Sequence, residues 1–232
     1  MNFVLIPGAW MGAWAWEPVT DGLRALGHEV HPVTLSGLDG DADVSDVGLE
    51  THVEDVQSVL ETEDLRDVVV VGHSYSGIVA GQVADRAPAR VSHTIFVDAF
   101  LPHDGKSMLD AFSENQREEE LLQIAENGGL WPAPDVAGAA GGHGLSTGQA
   151  RWLVERLRDH PGRTVSEPAV LERPLAQQRA TYILCSFEIS DDVAALRGEP
   201  NWTFRKLETG HWPMVSAPEA LVTMLAEAAS AD

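Results

Sequence analysis

The segment Val68-Val69-Val70-Val71-Gly72-His73-Ser74-Tyr75-Ser76-Gly77 carries residue types suited to nucleophilic catalysis, in the order that chemistry needs. The valine run reads as a strand buried on both faces. It meets a glycine, and the residues after Ser74 read as the start of a helix. A serine on so sharp a strand-to-helix turn holds its hydroxyl clear of the chain. The residues two before and two after it must be small, so that strand and helix can approach. Gly72 and Ser76 meet that need, with Ser76 in place of the usual glycine and Gly77 directly behind it. A strand–turn–helix with an incidental serine has the same outline, so the turn needs partners before it means catalysis.

A serine hydroxyl is a weak nucleophile until a base takes its proton. Thr209-Gly210-His211-Trp212-Pro213-Met214 follows the last strand-like run and precedes the last helix-like one. A histidine returns to such a serine from that position. The remaining histidines fit less well. His73 lies within the turn, and His28 and His31 flank an early strand. His52, His93, His103, His143 and His160 read as satisfied or solvated side chains. A third segment, Ile6-Pro7-Gly8-Ala9-Trp10-Met11-Gly12-Ala13-Trp14-Ala15-Trp16, puts a small-residue turn directly after the first strand. There a backbone N–H can approach a developing oxyanion, with a second amide supplied by Tyr75, the residue after the nucleophile. Trp10 is a candidate pocket wall, whereas Trp14 and Trp16 suit core packing equally well.

The elements that position these residues alternate between strand and helix. Strands are expected at Phe3–Ile6, Glu29–Leu35, Val68–Val71, Val91–Val97, Thr181–Cys185 and Trp202–Leu207. Helices are expected at Pro18–Leu26, Leu49–Glu61, Ser76–Ala87 and Pro218–Ala229. Such alternation implies a mostly parallel central sheet covered by helices on both faces. The pattern breaks after Pro102, where helical stretches near Met108–Glu126 and Thr147–Asp159 surround a Gly/Ala/Pro-rich loop, Asn127–Gly144. The expected organisation is a core of residues 1–102 and 180–232 with a helical cap at 103–179, forming one domain. Glu114 through Glu120 reads as a solvated helix face rather than a binding patch.

Composition narrows the functional classes. The chain has 232 residues, with 15 Lys+Arg against 36 Asp+Glu and a formal net charge of −21. So acidic a surface repels phosphate backbones and anionic headgroups, which argues against nucleic-acid and membrane partners. Cys185 is the only cysteine, and no His/Asp/Glu grouping has ligand spacing, so no disulfide, metal or cofactor is expected. The first residues lack the basic and long apolar regions of a signal peptide, and no stretch approaches a membrane span. A soluble cytoplasmic protein is the expectation, as a monomer or homodimer.

Four segments together carry a resemblance: the Pro7–Trp16 opening, Gly72–Gly77, Val97-Asp98-Ala99-Phe100-Leu101-Pro102, and Gly210–Met214. With Ser166-Glu167-Pro168 before the late strand, the chain resembles the α/β-hydrolase branch that holds plant methylesterases, hydroxynitrile lyases and bacterial esterases. The resemblance covers nearly the whole chain. It implies Ser74 as nucleophile, His211 as base, and the amides of Ala9 and Tyr75 as oxyanion hole. Pro7-Gly8 replaces the family's usual His-Gly. For the acid, relatives place an aspartate three residues after the cysteine that ends the late strand. Cys185-Ser186-Phe187-Glu188 puts Glu188 there, and a glutamate can orient the histidine. Asp191 and Asp192 are alternatives that also suit the start of a short helix, while Asp98 reads as structural.

The implied activity is hydrolysis of a small carboxylic ester or lactone through an acyl-enzyme on Ser74. Phe112, Leu121, Leu122, Trp131, Trp152 and Trp212 are candidate substrate-contacting residues. A biosynthetic cyclase or thioesterase using the same serine, or a ligand-binding homologue with little turnover, are the competing readings. The branch's lyases hold a threonine after the first strand and a lysine after the histidine. Gly8 and Trp212 stand there, which disfavours the lyase.

Overall fold

A computed structural model describes residues 1–40, 44–141, 144–185 and 189–230. In chain order the strands are β1 (Asn2–Ile6), β2 (Glu29–Pro32), β3 (Val68–His73), β4 (Val91–Val97), β5 (Leu130–Trp131), β6 (His160–Pro161), β7 (Ala180–Leu184) and β8 (Trp202–Lys206). The helices are α1 (Glu17–Ala25), α2 (Leu49–Thr62), α3 (Ser76–Arg86), α4 (Glu114–Glu126), α5 (Val136–Ala140), α6 (Thr147–Val154), α7 (Gly162–Ser166), α8 (Asp191–Ala195), α9 (Pro213–Ser216) and α10 (Pro218–Ser230).

Six strands form one parallel sheet in the order β2-β1-β3-β4-β7-β8. Alternate residues of each strand feed opposite faces. Phe3, Leu5, Val69 and Val71 pack with Trp16, Leu23, Leu221 and Leu225 beneath α1 and α10. Val4, Ile6, Val68 and Val70 pack with Val53, Val56, Ile78 and Val79 of α2 and α3. Every residue of β3 is buried, because the strand is central and covered on both sides. The register pairs Ile6 with Gly72 and His73 with Val97, so β1, β3 and β4 end side by side.

The segment between β4 and β7 is less regular than its helical pattern implies. Met108–Ala111 forms a single 3-10 turn, then Phe112 and Ser113 are extended, and Ser113 caps α4 by accepting the Gln116 N–H. A serine competes for backbone partners and so starts a helix rather than continuing one. α4 buries no residue and leaves Leu121 and Leu122 exposed to solvent, and of the expected solvated face Glu114, Glu118 and Glu119 are exposed while Glu120 accepts the Trp131 indole N–H. The Gly-rich stretch contains β5 and α5, and β5 pairs antiparallel with β6, Trp131 facing His160. A two-residue ribbon has no period to read from sequence. His143 lies outside the described residues. Among those described, no helix is long and apolar enough to cross a membrane.

The turn after β3 depends on two missing side chains. A Cβ at Gly72 would stand 2.5 Å from the Ser76 carbonyl oxygen, and one at Gly77 would fall on the Phe100 carbonyl and 2.7 Å from Ala99 Cβ. Gly148, on α6, has only Ser146 Oγ at 4.0 Å. Gly77→Ala is expected to lower the melting temperature by about 3–10 °C through overpacking. Gly148→Ala should leave it unchanged or raise it slightly. Thermal denaturation of both variants checks the contrast.

Candidate active site

Ser74 sits at φ 54°, in the left-handed region, where a residue with a Cβ is held only by its surroundings. Its N–H donates to the Val97 carbonyl at 3.2 Å, and its carbonyl accepts from Gly77 and Phe100 at 3.1 and 3.0 Å. The turn is therefore fastened to both β4 and the chain beyond it. Ser76 does more than stay small: its hydroxyl donates to the Pro7 carbonyl, tying the start of α3 to the end of β1. Gly8 approaches so closely that a Cβ there would stand 2.9 Å from Ser74 Cβ and 2.7 Å from His73 Nδ1. No side chain fits position 8 in this backbone.

Ser74 Oγ lies 3.0 Å from His211 Nε2, and His211 Nδ1 lies 2.8 Å from Asp98 Oδ2. Asp98 and His211 are buried, while Ser74 is partly accessible. A carboxylate at Nδ1 fixes the tautomer with the proton there, so that Nε2 faces the serine hydroxyl as an acceptor. Asp98 Oδ1 accepts the Cys185 N–H at 2.8 Å, and the Asp98 N–H donates to the Ile183 carbonyl at 2.8 Å. Asp98 has φ 45°, a conformation that aspartate tolerates better than most residues. It turns the chain sharply at the end of β4 and delivers the carboxylate to His211.

The geometry brings a different carboxylate to His211 from the one the sequence pattern favours. Asp98, read as structural, holds His211 Nδ1, and Glu188 lies outside the described residues. Asp192 pairs with His103 Nε2 at 2.8 Å, a bond that holds its carboxyl at about 2, and Asp191 is exposed in the first turn of α8. Both help line a cavity of about 590 Å³ with Phe100, Leu101, Met108 and Tyr182, beside the segment that follows Asp98.

The other singled-out residues divide clearly. Ala9 is buried at the turn beside Ser74, and Tyr75 is buried as the N-cap of α3. No acceptor among the described residues takes the N–H of either. Trp10 packs against Trp131 with ring centroids 4.3 Å apart, and Phe112 meets Phe100 edge-on at 5.9 Å. Trp212 is buried against His211 and His73, at 5.1 and 5.9 Å. Trp152 packs on Trp14 and beneath the Arg156 guanidinium instead.

Two histidines that sequence spacing does not single out belong here. His73 Nε2–H donates to the His211 carbonyl at 2.7 Å, so the residue before Ser74 holds the loop that carries His211. His160 Nδ1 accepts the Trp10 N–H at 3.2 Å. Nearby, the Tyr75 hydroxyl donates to His52 Nδ1 at 2.9 Å, and His52 Nε2–H donates to the Ser36 carbonyl at 2.9 Å. Burial lowers all three histidines: His52 to about 4, and His73 and His160 well below the usual imidazole range. Only His73 has a faint sequence signal, its place in the turn. His160 has none, because its partner is 150 residues away.

Comparison with known proteins places this arrangement. Residues 3–224 match the family described as "Alpha/beta hydrolase family". A carbendazim-hydrolyzing esterase from Nocardioides sp. (strain SG-4G) is 31% identical over 245 residues, covering 97% of this chain and 98% of that protein. Methylesterase 1 of Arabidopsis thaliana is 34% identical over 128 residues, 52% of this chain and 49% of that one. Among solved structures, an extracellular α/β-hydrolase from a Paenibacillus species superposes with a TM-score of 0.87 at 23% identity, covering 98% of both chains. That enzyme is described as sharing structural and functional homology with tobacco salicylic acid binding protein 2.

The buried neutral histidines set the acid limb of stability. Their folded-state proton affinity lies below the unfolded value near 6.5, so the unfolded chain binds more protons and stability falls as pH drops from about 6.5 toward 4. His93, lowered to about 4 by burial, adds to the effect. Carboxylates held low, such as Asp192, act only below about pH 4. Urea unfolding should give a free energy at least about 3 kcal/mol smaller at pH 5 than at pH 7, from about 1–2 kcal/mol per histidine. A flat profile across that interval would refute neutral burial.

Proposed function

We propose, from the premise that this chain belongs to the α/β-hydrolase family, that it is a serine hydrolase cleaving a small carboxylic ester or lactone through an acyl-enzyme on Ser74. The observation that carries the reading is the continuous hydrogen-bonded chain from Ser74 through His211 to Asp98. The relatives named as esterases point to the same reaction class. The segment 103–179 is read as a cap over a core of residues 1–102 and 180–232.

In the proposed reaction His211 Nε2 takes the hydroxyl proton as Ser74 Oγ attacks the ester carbonyl. The imidazolium is stabilised by Asp98, whose carboxylate stays ionised. The carbonyl oxygen becomes an oxyanion beside the Ala9 and Tyr75 N–H groups, which need no reorganisation to receive it. Collapse of the tetrahedral intermediate breaks the C–O bond of the leaving alcohol, and His211 returns the proton to that oxygen. Water, deprotonated by His211, then attacks the acyl-enzyme and releases the acid with Ser74 restored. Trp10, Trp131 and Phe112 supply the apolar contacts offered to substrate. Gly8 and Trp212 leave the lyase without its threonine and lysine.

Hydrolysis of p-nitrophenyl acetate and of small methyl esters tests the assignment. Ser74→Ala should lose at least about 10⁴-fold in kcat, and Asp98→Asn about 10³–10⁴-fold through loss of the productive tautomer. Glu188→Gln should stay within about fivefold of the parent. A collapse with Glu188→Gln and retention with Asp98→Asn would return the acid to Glu188. Mass spectrometry after a fluorophosphonate should find the adduct on Ser74.

A further inference from the structure

We propose that His160 is a positioning residue for this reaction: by accepting the Trp10 N–H at Nδ1, it holds the turn after β1 so that the Ala9 N–H faces the oxyanion. The proposal rests on the reading of Ser74 as nucleophile and of Ala9 N–H as an oxyanion donor.

Ala9 is bracketed by fixed groups. On its N-terminal side the Pro7 carbonyl accepts from the Ser76 hydroxyl, and the Gly8 carbonyl accepts from Met11 N–H at 3.4 Å. On its C-terminal side the peptide N–H of Trp10 is taken by His160 at 3.2 Å. Trp10 has φ 67°, a conformation that a tryptophan does not adopt without external support. All the support comes from one place. Its N–H goes to His160, its carbonyl accepts from Arg158 N–H at 3.0 Å, and its indole N–H donates to the Trp131 carbonyl at 3.1 Å. Trp131 and His160 are directly paired across the β5–β6 ribbon, so one small antiparallel unit clamps the turn.

His160 also reaches the second donor. Its ring lies 4.8 Å from that of Tyr75, edge to face, so a single buried imidazole touches the residue bearing one oxyanion amide and bonds the neighbour of the other. Acceptance at Nδ1 requires the neutral ring with its proton on Nε2. Burial and the neighbouring His52 keep His160 neutral, so the bond persists near neutral pH. An oxyanion donor is useful only if its direction is set before the charge develops. A looser turn therefore slows acylation without weakening substrate binding.

The test compares His160→Leu, which removes the acceptor, with His160→Asn, whose Oδ1 falls near the position of Nδ1. With p-nitrophenyl acetate, the leucine variant should lose about 10- to 100-fold in kcat with KM within about threefold, less than the loss of a donor outright. The asparagine variant should recover to within about fivefold of the parent. Amide hydrogen exchange, read residue by residue by NMR on the whole ¹⁵N-labelled protein, should show Trp10 N–H protected in the parent and in His160→Asn. In His160→Leu it should exchange at least about tenfold faster. Retained kcat in the leucine variant, equal losses in both variants, or a loss confined to KM would overturn the proposal. So would a parent Trp10 amide that exchanges as freely as an exposed one, a result that needs no variant to fold. A parent enzyme that leaves esters intact, or hydrolyses them equally well after Ser74→Ala, would sink the esterase reading. The exchange data would then still decide whether His160 anchors the turn.

Discussion

The left-handed turn at Ser74 is the constraint around which the molecule is arranged. A residue with a Cβ at φ 54° is retained only where neighbouring chain overdetermines it, and here three elements do so. The Val97 carbonyl at the end of β4 accepts the Ser74 N–H, the Phe100 N–H reaches back to the Ser74 carbonyl, and α3 begins directly behind. Gly72 and Gly77 leave space for these approaches. Because β3 is central and parallel to both neighbours, the ends of β1 and β4 fall beside the same turn. Crevices at the carboxyl ends of parallel strands are where α/β proteins place their sites. The small-residue turn, the serine and Asp98 thus meet through strand register alone.

Asp98 gains its role from the same register. An acid at the end of β4 stands next to β7, where Ile183 and Cys185 bond its backbone and its second carboxylate oxygen. A fully buried carboxylate persists only with such satisfaction, and the His211 imidazole completes it. The segment after β7, from which the family pattern would deliver an acid, need not supply one for the histidine to be oriented.

Around this centre lies a set of buried, neutral histidines acting as hydrogen-bond spacers. His73 braces the His211 loop, His52 links Tyr75 to Ser36, and His160 links the inserted ribbon to Trp10. A neutral imidazole can donate from one nitrogen and accept at the other: His52 uses both, His73 only its donor and His160 only its acceptor. None of these rings needs a charge, and in a chain of net charge −21 the buried carboxylates among the described residues, Asp98 and Asp85, are each paired, with His211 and with Arg173. The cost falls on stability in acid, where each ring gains a proton once the chain unfolds and so favours the unfolded state.

The sequence by itself determined the parallel architecture, the strand-to-helix turn at Ser74 and the place of His211 between the last strand and helix. Each of these is written in short-range patterns: a four-valine run ending at a glycine, small residues flanking Ser74, and Gly210-His211 between the last strand and helix. The four inner strands, β1, β3, β4 and β7, appear where apolar runs stand, because a strand buried on both faces has no polar alternation to obscure it, whereas the edge strands β2 and β8 carry exposed polar residues. The choice among Asp98, Glu188, Asp191 and Asp192 was not legible, since it depends on which carboxylate the sheet register brings to Nδ1. The break at Phe112–Ser113 was hidden by the helix-forming residues on either side. The β5–β6 ribbon and the part played by His160 were decided by tertiary structure alone. A contact between residues 10 and 160 leaves no trace in local composition, and only the folded insertion brings an imidazole to that amide.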